Sequence, residues 1–332
     1  MQIKIAGLVR LVLVLFSFYP SASFGLERLR IGLSSVSAMH GALWVAQDKG
    51  LFRKYGIEPE LIIIGGSASA ISALIAGDIQ LLDGGGDAVI NASLRGADVI
   101  LAGSVLNKGV QQVMARPEIK TPKELKGKKV GVTRFGSASH LVLELVMRAW
   151  GMSPGDVNVR QIGSSPAMIA SLDKGGIDAA VLTMPSVFVA EEKGYSTLAD
   201  LADMDIYYLH ASISSTRRFL RGSRDQATRL IKGFVEGIAY FKTHKKESIE
   251  VLAKKLRTNP QGDKYIEKSY DLLAGKYYER VPYPSMRGVK TQLEFLGKDN
   301  PNARAADPES FVDSSIVKEL DASGFIKALY EK

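Results

Sequence analysis

Short apolar runs alternate along the chain with segments in which apolar residues recur every three or four positions. The first pattern is typical of buried strands and the second of amphipathic helices. The predicted strands lie near residues 29–33, 59–64, 79–82, 98–103, 128–133, 157–162, 178–182 and 205–209. The helices predicted between them cover residues 41–54, 67–76, 87–95, 138–150, 165–174 and 185–193. Strands that alternate with helices indicate an α/β fold with mostly parallel sheets.

The α/β region contains an internal repeat. Residues 64–79 and 162–177 carry the same succession of a Gly and Ser turn, a helix and a terminating glycine, at an offset of about 98 residues. The strand and Ser-rich loop at 31–37 recur at 130–139. This repeat predicts two lobes of similar build. Loops beyond the carboxyl ends of their strands would line a ligand-binding cleft between the lobes.

In the last third of the chain the strand pattern stops and helical periods remain. They cover residues 227–243, 246–256, 263–275 and 286–295. This region has too little hydrophobic content for a core of its own, so we expect it to pack on the first lobe. Lobe 1 would comprise residues 26–108 and 211–332, and lobe 2 residues 109–210. The chain would cross between them near 103–112 and 205–215, forming a double hinge that bends more readily than it twists.

The first 25 residues have the build of a secretory signal peptide. Lys4 and Arg10 precede the apolar run 11–18, and small residues follow before Leu26. The apolar run is shorter than the ~20 residues that a membrane-spanning helix needs. We therefore expect cleavage near Leu26 and export of the mature protein to the periplasm. Because the chain has no cysteine, no lipid-modified cysteine follows the leader.

Composition narrows the chemistry further. The absence of cysteine excludes disulfides, thiolate metal sites and a cysteine nucleophile. The net charge of +8 falls to +6 without the leader, and mildly favours an anionic ligand. No basic run with interleaved aromatic residues suggests nucleic acid, and no phosphate-binding loop, nucleophile elbow or zinc-protease motif occurs. His40 and His140 hold matching positions, but two histidines alone make a poor metal site. We expect no catalytic residue, metal or cofactor.

Three motifs in a fixed order carry a family resemblance. They lie at residues 44–61, 73–79 and 125–132. Together they resemble solute-binding proteins of ABC importers in the NMT1/THI5-like group, whose members bind sulfonates, nitrate or pyrimidine precursors of thiamine. The resemblance implies a two-lobed, type II periplasmic binding protein. Such a protein is usually a monomer that closes around a small organic, acidic solute and delivers it to a membrane permease and ATPase complex.

Two other functions remain open at this point. A ligand-sensing module for a membrane receptor has the same outline, and the sequence does not separate sensing from import. The thiamine pyrimidine synthase in the same group also has these lobes, but it carries a cysteine-rich motif that this chain lacks. We therefore expect a protein that binds and releases its ligand without catalysis.

The candidate ligand-binding residues of lobe 1 lie in loops that follow predicted strands. They are Ser35, Ser37, Met39, His40, Gly66, Ser67, Gly85 and Asp87. Ser67 begins a helix, where free backbone N–H groups favour an anion, and Gly85 allows close approach of a ligand to the backbone. The serines and Asp87 have an alternative role, because these residue types also cap helices.

The candidates of lobe 2 lie at matching positions. They are Arg134, Phe135, Ser137, Ser139, Ser165, Thr183 and Met184. Arg134 is the leading candidate for an anion clamp, since its planar guanidinium pairs with two oxygens at once. The alternative is a solvated arginine at the edge of a loop. Phe135 would either stack on the ligand or fill the core of the lobe.

Overall fold

The computed structural model describes residues 25–331 except Gly136, Asn259 and Asp299. The predicted signal peptide lies almost entirely outside these described residues. Among the described helices, none combines the length and the apolar character that a membrane crossing requires.

The described chain forms two sheets of five strands each. The strands are β1 (Glu27–Leu33), β2 (Ile57–Ile63), β3 (Leu81–Gly84), β4 (Ile100–Leu106), β5 (Gln111–Ala115), β6 (Lys129–Val132), β7 (Asn158–Gln161), β8 (Ala179–Thr183), β9 (Ser196–Asp200) and β10 (Ala211–Ser215). The strand order is β2-β1-β3-β10-β4 in the first sheet and β7-β6-β8-β5-β9 in the second.

The two sheets have the same layout. In the first, β1 runs parallel to β2 and β3, and β10 runs antiparallel to β3 and β4. In the second, β6 runs parallel to β7 and β8, and β5 runs antiparallel to β8 and β9. The α/β fold with two mostly parallel sheets is thus confirmed, and each sheet carries three parallel strands whose carboxyl ends share one edge.

Two segments cross between the sheets and lie side by side. Residues 107–110 connect β4 to β5, and residues 201–210 connect β9 to β10. Backbone hydrogen bonds join them, because the Tyr208 N–H donates to the Asn107 carbonyl oxygen at 3.1 Å and the His210 N–H donates to the Leu106 carbonyl oxygen at 2.9 Å. By the strand order, the first crossing leads from edge strand β4 to interior strand β5, and the second leads from edge strand β9 to interior strand β10.

The strand predicted at 205–209 is wrong. This segment belongs to the second crossing, and the strands of this region are β9 and β10 on either side of it. Its apolar residues are buried, since Tyr208 and Leu209 are each 2% exposed, but they pack between lobes instead of within a sheet. The pattern did not predict β5, β9 or β10, which directly adjoin the two crossings.

Helices flank both sheets and form the C-terminal region. In the described residues they are α1 (Gly41–Asp48), α2 (Ser67–Ala76), α3 (Gly86–Leu94), α4 (Ala138–Ala149), α5 (Ser165–Asp173), α6 (Ser186–Glu192), α7 (Arg217–Gly222), α8 (Arg224–Thr243), α9 (Lys245–Leu256), α10 (Pro260–Leu272), α11 (Met286–Leu296), α12 (Pro301–Ala305), α13 (Ser315–Ala322) and α14 (Phe325–Leu329).

The helical C-terminal region packs on the first lobe, as predicted. Its long helix α8 lies against α1, and glycine permits their close approach. A Cβ atom on Gly237 would lie 2.5 Å from the carbonyl oxygen of Ala42. The region also reaches the second lobe, where the Tyr265 ring of α10 stacks on Phe188 of α6 with centroids 6.4 Å apart.

Candidate functional site

The loops beyond the parallel strands of the two sheets approach each other at Tyr208. This buried side chain packs against Leu141 and Leu145 of α4 in the second lobe. Its hydroxyl faces the Asp87 carboxyl group in the first turn of α3 in the first lobe. The starts of α3 and α4 therefore lie on opposite sides of one residue of the second crossing. We take the space between the two loop edges as the candidate cleft.

A chain of three side chains lies on the first-lobe side of this cleft. The Nδ1 atom of His40 is 2.8 Å from Oδ2 of Asp83, and both side chains are almost completely buried. The Nε2 atom of His40 is 3.3 Å from the hydroxyl oxygen of Ser35, which is half-buried. These distances place Ser35, His40 and Asp83 in one hydrogen-bonded relay.

Local structure explains why the relay forms. Asp83 lies next to Leu33 in the parallel pairing of β3 with β1, so it stands beside the loop that follows β1. The Ser37 hydroxyl accepts from the Met39 N–H at 3.4 Å and caps the short helical turn Ala38–His40. The Tyr278 hydroxyl donates to the Met39 carbonyl oxygen at 2.9 Å. The loop is thereby fixed at both ends, with His40 directed at β3.

The end of the second crossing is polar and buried. His210 is 8% exposed, and its ring centroid lies 5.9 Å from that of Tyr208. Burial and, to a smaller degree, the charge that a protonated His40 would carry lower the pKa of His210 to about 4. The imidazole of His210 is therefore neutral at pH 7, and it offers hydrogen bonds without charge.

Several buried polar atoms near the crossing have no hydrogen-bond partner among the described residues. They are Asp83 Oδ1, Gln111 Oε1, Gln112 Oε1, Tyr208 OH, His210 Nδ1, Ser212 Oγ and Ser214 Oγ. Most buried polar side-chain atoms in proteins are hydrogen-bonded, so a group of unpaired ones is unusual. Two of them, on Asp83 and His210, adjoin the candidate cleft, whereas the Tyr208 hydroxyl faces the Asp87 carboxyl. They supply both donors and acceptors for a bound molecule.

Gly85, Ser67 and Asp87 form a tight corner on the first lobe. The Gly85 N–H donates to the Ser67 hydroxyl at 3.1 Å. A Cβ atom on Gly85 would lie 2.3 Å from Oδ1 of Asp87 and 3.2 Å from the Ser67 hydroxyl oxygen. Exclusion of water raises the pKa of the Asp87 carboxyl, and backbone N–H groups at the start of α3 oppose this increase in pKa. Asp87 is thus a poorly solvated acceptor beside the cleft.

Three helices at this edge, α2, α3 and α4, begin without a side-chain cap, and the N-cap of α3 is Gly85. Gly66 is the N-cap of α2, and its φ of 87° suits glycine. Ser137 is the N-cap of α4, but its hydroxyl makes no capping bond. By contrast, Ser164 caps α5 by accepting from the Ala167 N–H at 3.4 Å, and Ser165 follows half-buried. The first turns of α2 and α4 therefore keep N–H groups that favour an anion.

The hydroxyl groups of the second-lobe loop bond mainly to one another. The Thr133 hydroxyl is 2.8 Å from those of Ser137 and Ser139, which are 3.0 Å apart. Ser137 also donates to the Arg134 carbonyl oxygen at 2.6 Å. Ser139 is buried, whereas the Arg134 side chain is exposed and has no partner among the described residues. This loop presents its guanidinium to solvent and keeps its hydroxyls in a local network.

The remaining second-lobe candidates lie around the same edge. Phe135 is 58% exposed, and its ring meets His140 edge-on at 5.4 Å. Thr183 ends β8 opposite Gln111 of β5, while Met184 is buried and packs in the core. Phe135 does not fill the core of the lobe, so that reading of it is wrong.

Metal binding finds no geometric basis in the described residues. No group of three or more His, Cys, Asp or Glu side chains there has the arrangement that would hold a metal ion. His40 instead pairs with Asp83, and His140 lies 3.6 Å from Glu144 one turn along α4.

Sequence reasoning missed Asp83, Tyr208 and His210. One signal was present for Asp83, because a carboxylate inside a predicted buried strand needs a partner. No comparable signal marked Tyr208, which was assigned to a strand, or His210, which was placed in the second crossing. The contacts of both residues come from distant parts of the chain.

Comparisons with known proteins agree with this architecture. The family model described as NMT1/THI5 like matches residues 37–248. The taurine-binding periplasmic protein of Escherichia coli (strain K12) is 31% identical over 129 residues, which is 38% of this chain and 39% of that protein. The putative aliphatic sulfonates-binding protein of the same strain is 27% identical over 264 residues, or 76% of this chain and 78% of that protein.

A solved structure gives the same fold. The periplasmic aliphatic sulphonate binding protein SsuA from Escherichia coli superimposes with a TM-score of 0.72 at 20% identity, covering 88% of this chain and 99% of that one. The present chain thus has the two-lobed architecture of that binding protein. Because the family match extends through both lobes, from residue 37 to residue 248, the chain belongs to the NMT1/THI5-like family.

Proposed function

We propose that this protein is the periplasmic solute-binding component of an ABC importer, and that it captures a small organic acid between its two lobes. One observation carries the proposal: the loop edges of two separate sheets meet at Tyr208, around buried polar atoms that lack a partner in the described chain. Family membership and the names of the relatives support the same role. The ligand would then be delivered to a membrane permease and its ATPase by a monomeric binding protein.

The acid group would be held without a buried lysine. The uncapped start of α4 favours an anion by about 0.3 to 1 kcal/mol when exposed, and by more when partly buried. Arg134 would add a two-pronged contact from the second lobe. A sulfonate or carboxylate fits these donors, and the names of relatives that bind taurine and aliphatic sulfonates favour the sulfonate.

Lobe closure would follow from contacts made to both lobes at once. Within the described residues, two short crossings, 107–110 and 201–210, join the sheets, and we propose them as the hinge. A ligand that bonds to Ser35 or Asp87 on one side and to Arg134 on the other is satisfied only when the lobes approach. The work of the protein would be capture and release. A membrane receptor in place of the permease would use the same binding step.

A thermal-shift screen of the mature protein tests the proposal. The probes are taurine, alkane and aromatic sulfonates, nitrate, bicarbonate, aromatic carboxylates and pyrimidines. A ligand at a hundred times its Kd adds about 2.7 kcal/mol of apparent stability, which raises Tm by several degrees. A selective shift with acidic probes is expected. A flat response across every class would refute the assignment as a binding protein for these solutes.

Replacement of Arg134 refines the test. Arg134→Ala should weaken binding of the acidic ligand more than tenfold, measured by calorimetry, because a charge-assisted contact is lost. Arg148→Ala is the matched control, since Arg148 is an exposed arginine in the last turn of α4, at the end of that helix farther from the loop of Arg134. Equal affinity of both variants and the unaltered protein would remove Arg134 from the site.

One observation favours a second candidate function, an acyl hydrolase. Ser35, His40 and Asp83 stand in the nucleophile, base and acid order of serine hydrolases. We propose binding without catalysis, because the family resemblance points to transport. Mass spectrometry after treatment with a fluorophosphonate separates the two. Covalent labelling of Ser35, together with hydrolysis of p-nitrophenyl acetate that Ser35→Ala abolishes, would establish the hydrolase. An unlabelled Ser35 supports the binding protein.

A further inference from the structure

We propose that the relay from Asp83 through His40 fixes Ser35 as a hydrogen-bond acceptor toward the ligand, so that the cleft selects acids which also carry an N–H or O–H donor. This inference rests on the proposed solute-binding function and adds a specificity rule to it. His40 and Asp83 act here as positioning residues, because neither needs to touch the ligand.

The first step sets the position of the hydrogen on His40. An ionised carboxylate only accepts hydrogen bonds. Since Oδ2 of Asp83 lies 2.8 Å from Nδ1 of His40 and both groups are buried, Nδ1 carries the hydrogen. A neutral imidazole has one donor nitrogen and one acceptor nitrogen. The Nε2 atom of neutral His40 is therefore the acceptor.

The second step sets the direction of the Ser35 hydroxyl. Its oxygen lies 3.3 Å from Nε2 of His40. Because Nε2 is an acceptor, the Ser35 hydroxyl donates its hydrogen to Nε2. No other side chain or backbone group of the described chain donates to Ser35 Oγ or accepts from it. The lone pairs of Ser35 thus remain free, and the half-buried residue presents an acceptor to the cleft.

The surroundings hold this arrangement in place. The His40 ring is completely buried and meets Trp44 edge-on at 6.3 Å. The Ser34 N–H donates to the Asp83 carbonyl oxygen at 3.2 Å, which ties the loop to β3. Tyr278 anchors the same loop through the Met39 carbonyl oxygen. Rotation of the His40 ring would break the bond to Asp83 and leave a buried carboxylate unpaired.

The third step concerns the charge of the two walls. On the first lobe, the Ser35 oxygen belongs to the same hydrogen-bonded chain as Asp83, whose Oδ1 has no partner in the described chain. On the second lobe, Arg134 offers a cation. An acid group is repelled by the first wall and attracted by the second. The ligand would therefore lie with its acid toward Arg134 and with a hydrogen-bond donor toward Ser35.

Matched probes test the rule by calorimetry at pH 8. Taurine carries an ammonium group where propane-1-sulfonate carries a methyl group. Isethionate carries a hydroxyl group at the same position. A hydrogen bond that involves a charged group is worth about 1.5 to 3 kcal/mol, so we expect at least tenfold tighter binding of taurine than of propane-1-sulfonate. Ser35→Ala should reduce this ratio to below threefold. Ser35→Thr keeps a hydroxyl and should restore the preference.

Ser323→Ala is the matched control, because the Ser323 hydroxyl donates to the Leu320 carbonyl oxygen at the end of α13 and Ser323 is not a candidate ligand-binding residue. It should leave the ratio unchanged. A preference for taurine that survives Ser35→Ala would overturn the inference, as would tighter binding of propane-1-sulfonate by the unaltered protein.

A second measurement is independent of any ligand. Nitrogen-15 NMR of the four labelled histidines distinguishes the two neutral tautomers, and we expect hydrogen on Nδ1 of His40. Hydrogen on Nε2 would refute the relay even if every sulfonate bound. Conversely, a chain that binds none of the probes but shows the Nδ1 tautomer would refute the proposed function while the relay geometry stands.

Discussion

Replacing His210 should reduce the loss of folding stability that acidification causes in this protein. Burial lowers the pKa of His210 from 6.5 to about 4, so the folded state holds fewer protons than the unfolded chain between these values. Stability attributable to His210 is then complete above pH 6.5 and is lost as the pH falls toward 4. Each pKa unit corresponds to about 1.4 kcal/mol. Between pH 7.5 and 4.5 the loss amounts to roughly 2.5 kcal/mol.

The assay is urea unfolding of the mature protein and of His210→Gln at both pH values. The quantity of interest is the difference between the two proteins, because other groups titrate in both. Gln cannot be protonated in this range, so the variant should lose about 2.5 kcal/mol less on acidification. His244→Gln, at an exposed position, controls for the removal of one histidine. Equal losses in the unaltered protein and His210→Gln would refute the reasoning.

Two further predictions concern glycines. Gly85→Ala places a Cβ atom against Oδ1 of Asp87, and should lower the free energy of unfolding by about 1 to 3 kcal/mol because the Asp87 side chain must leave its rotamer and its hydrogen bonds. In an Asp87→Ala background the same change should have an effect below about 1 kcal/mol. Equal effects in both backgrounds would disprove the clash. Gly237→Ala places a methyl group against the backbone of Ala42 and should lower the free energy of unfolding in urea by about 1 to 3 kcal/mol. Gly222→Ala is the control, because a Cβ atom there meets nothing within 4 Å, and it should leave the free energy of unfolding nearly unchanged.

Local patterns sufficed for most of the lobes. The predicted helix 67–76 coincides with α2, and the strand predicted at 29–33 lies within β1. Both elements have a clear hydrophobic period, and glycines flank α2 at both ends. The family of the chain was also readable, because its motifs are short and contiguous.

Long-range contacts explain what the patterns did not predict. In the segment 205–209, Tyr208 packs against the second lobe and Leu209 against the first. A hydrophobic pattern does not distinguish such a crossing from a strand. The bond between His40 and Asp83 joins residues 43 positions apart. Its existence depends on the parallel pairing of β1 with β3, which sets the two groups side by side. The sequence shows the two residue types, and the sheet makes them partners.

The interior position of β10 has a consequence for the order of folding. The second sheet is built from one continuous stretch, β5 to β9, whereas β4 pairs in its sheet only with β10 among the described strands. Because the chain is synthesised from the amino terminus, all strands of the second sheet are available before the last strand of the first, β10. Until residue 215 is available, the first sheet lacks the strand that joins β3 to β4. The sheet nearer to the predicted signal peptide is thus the later of the two to be completed.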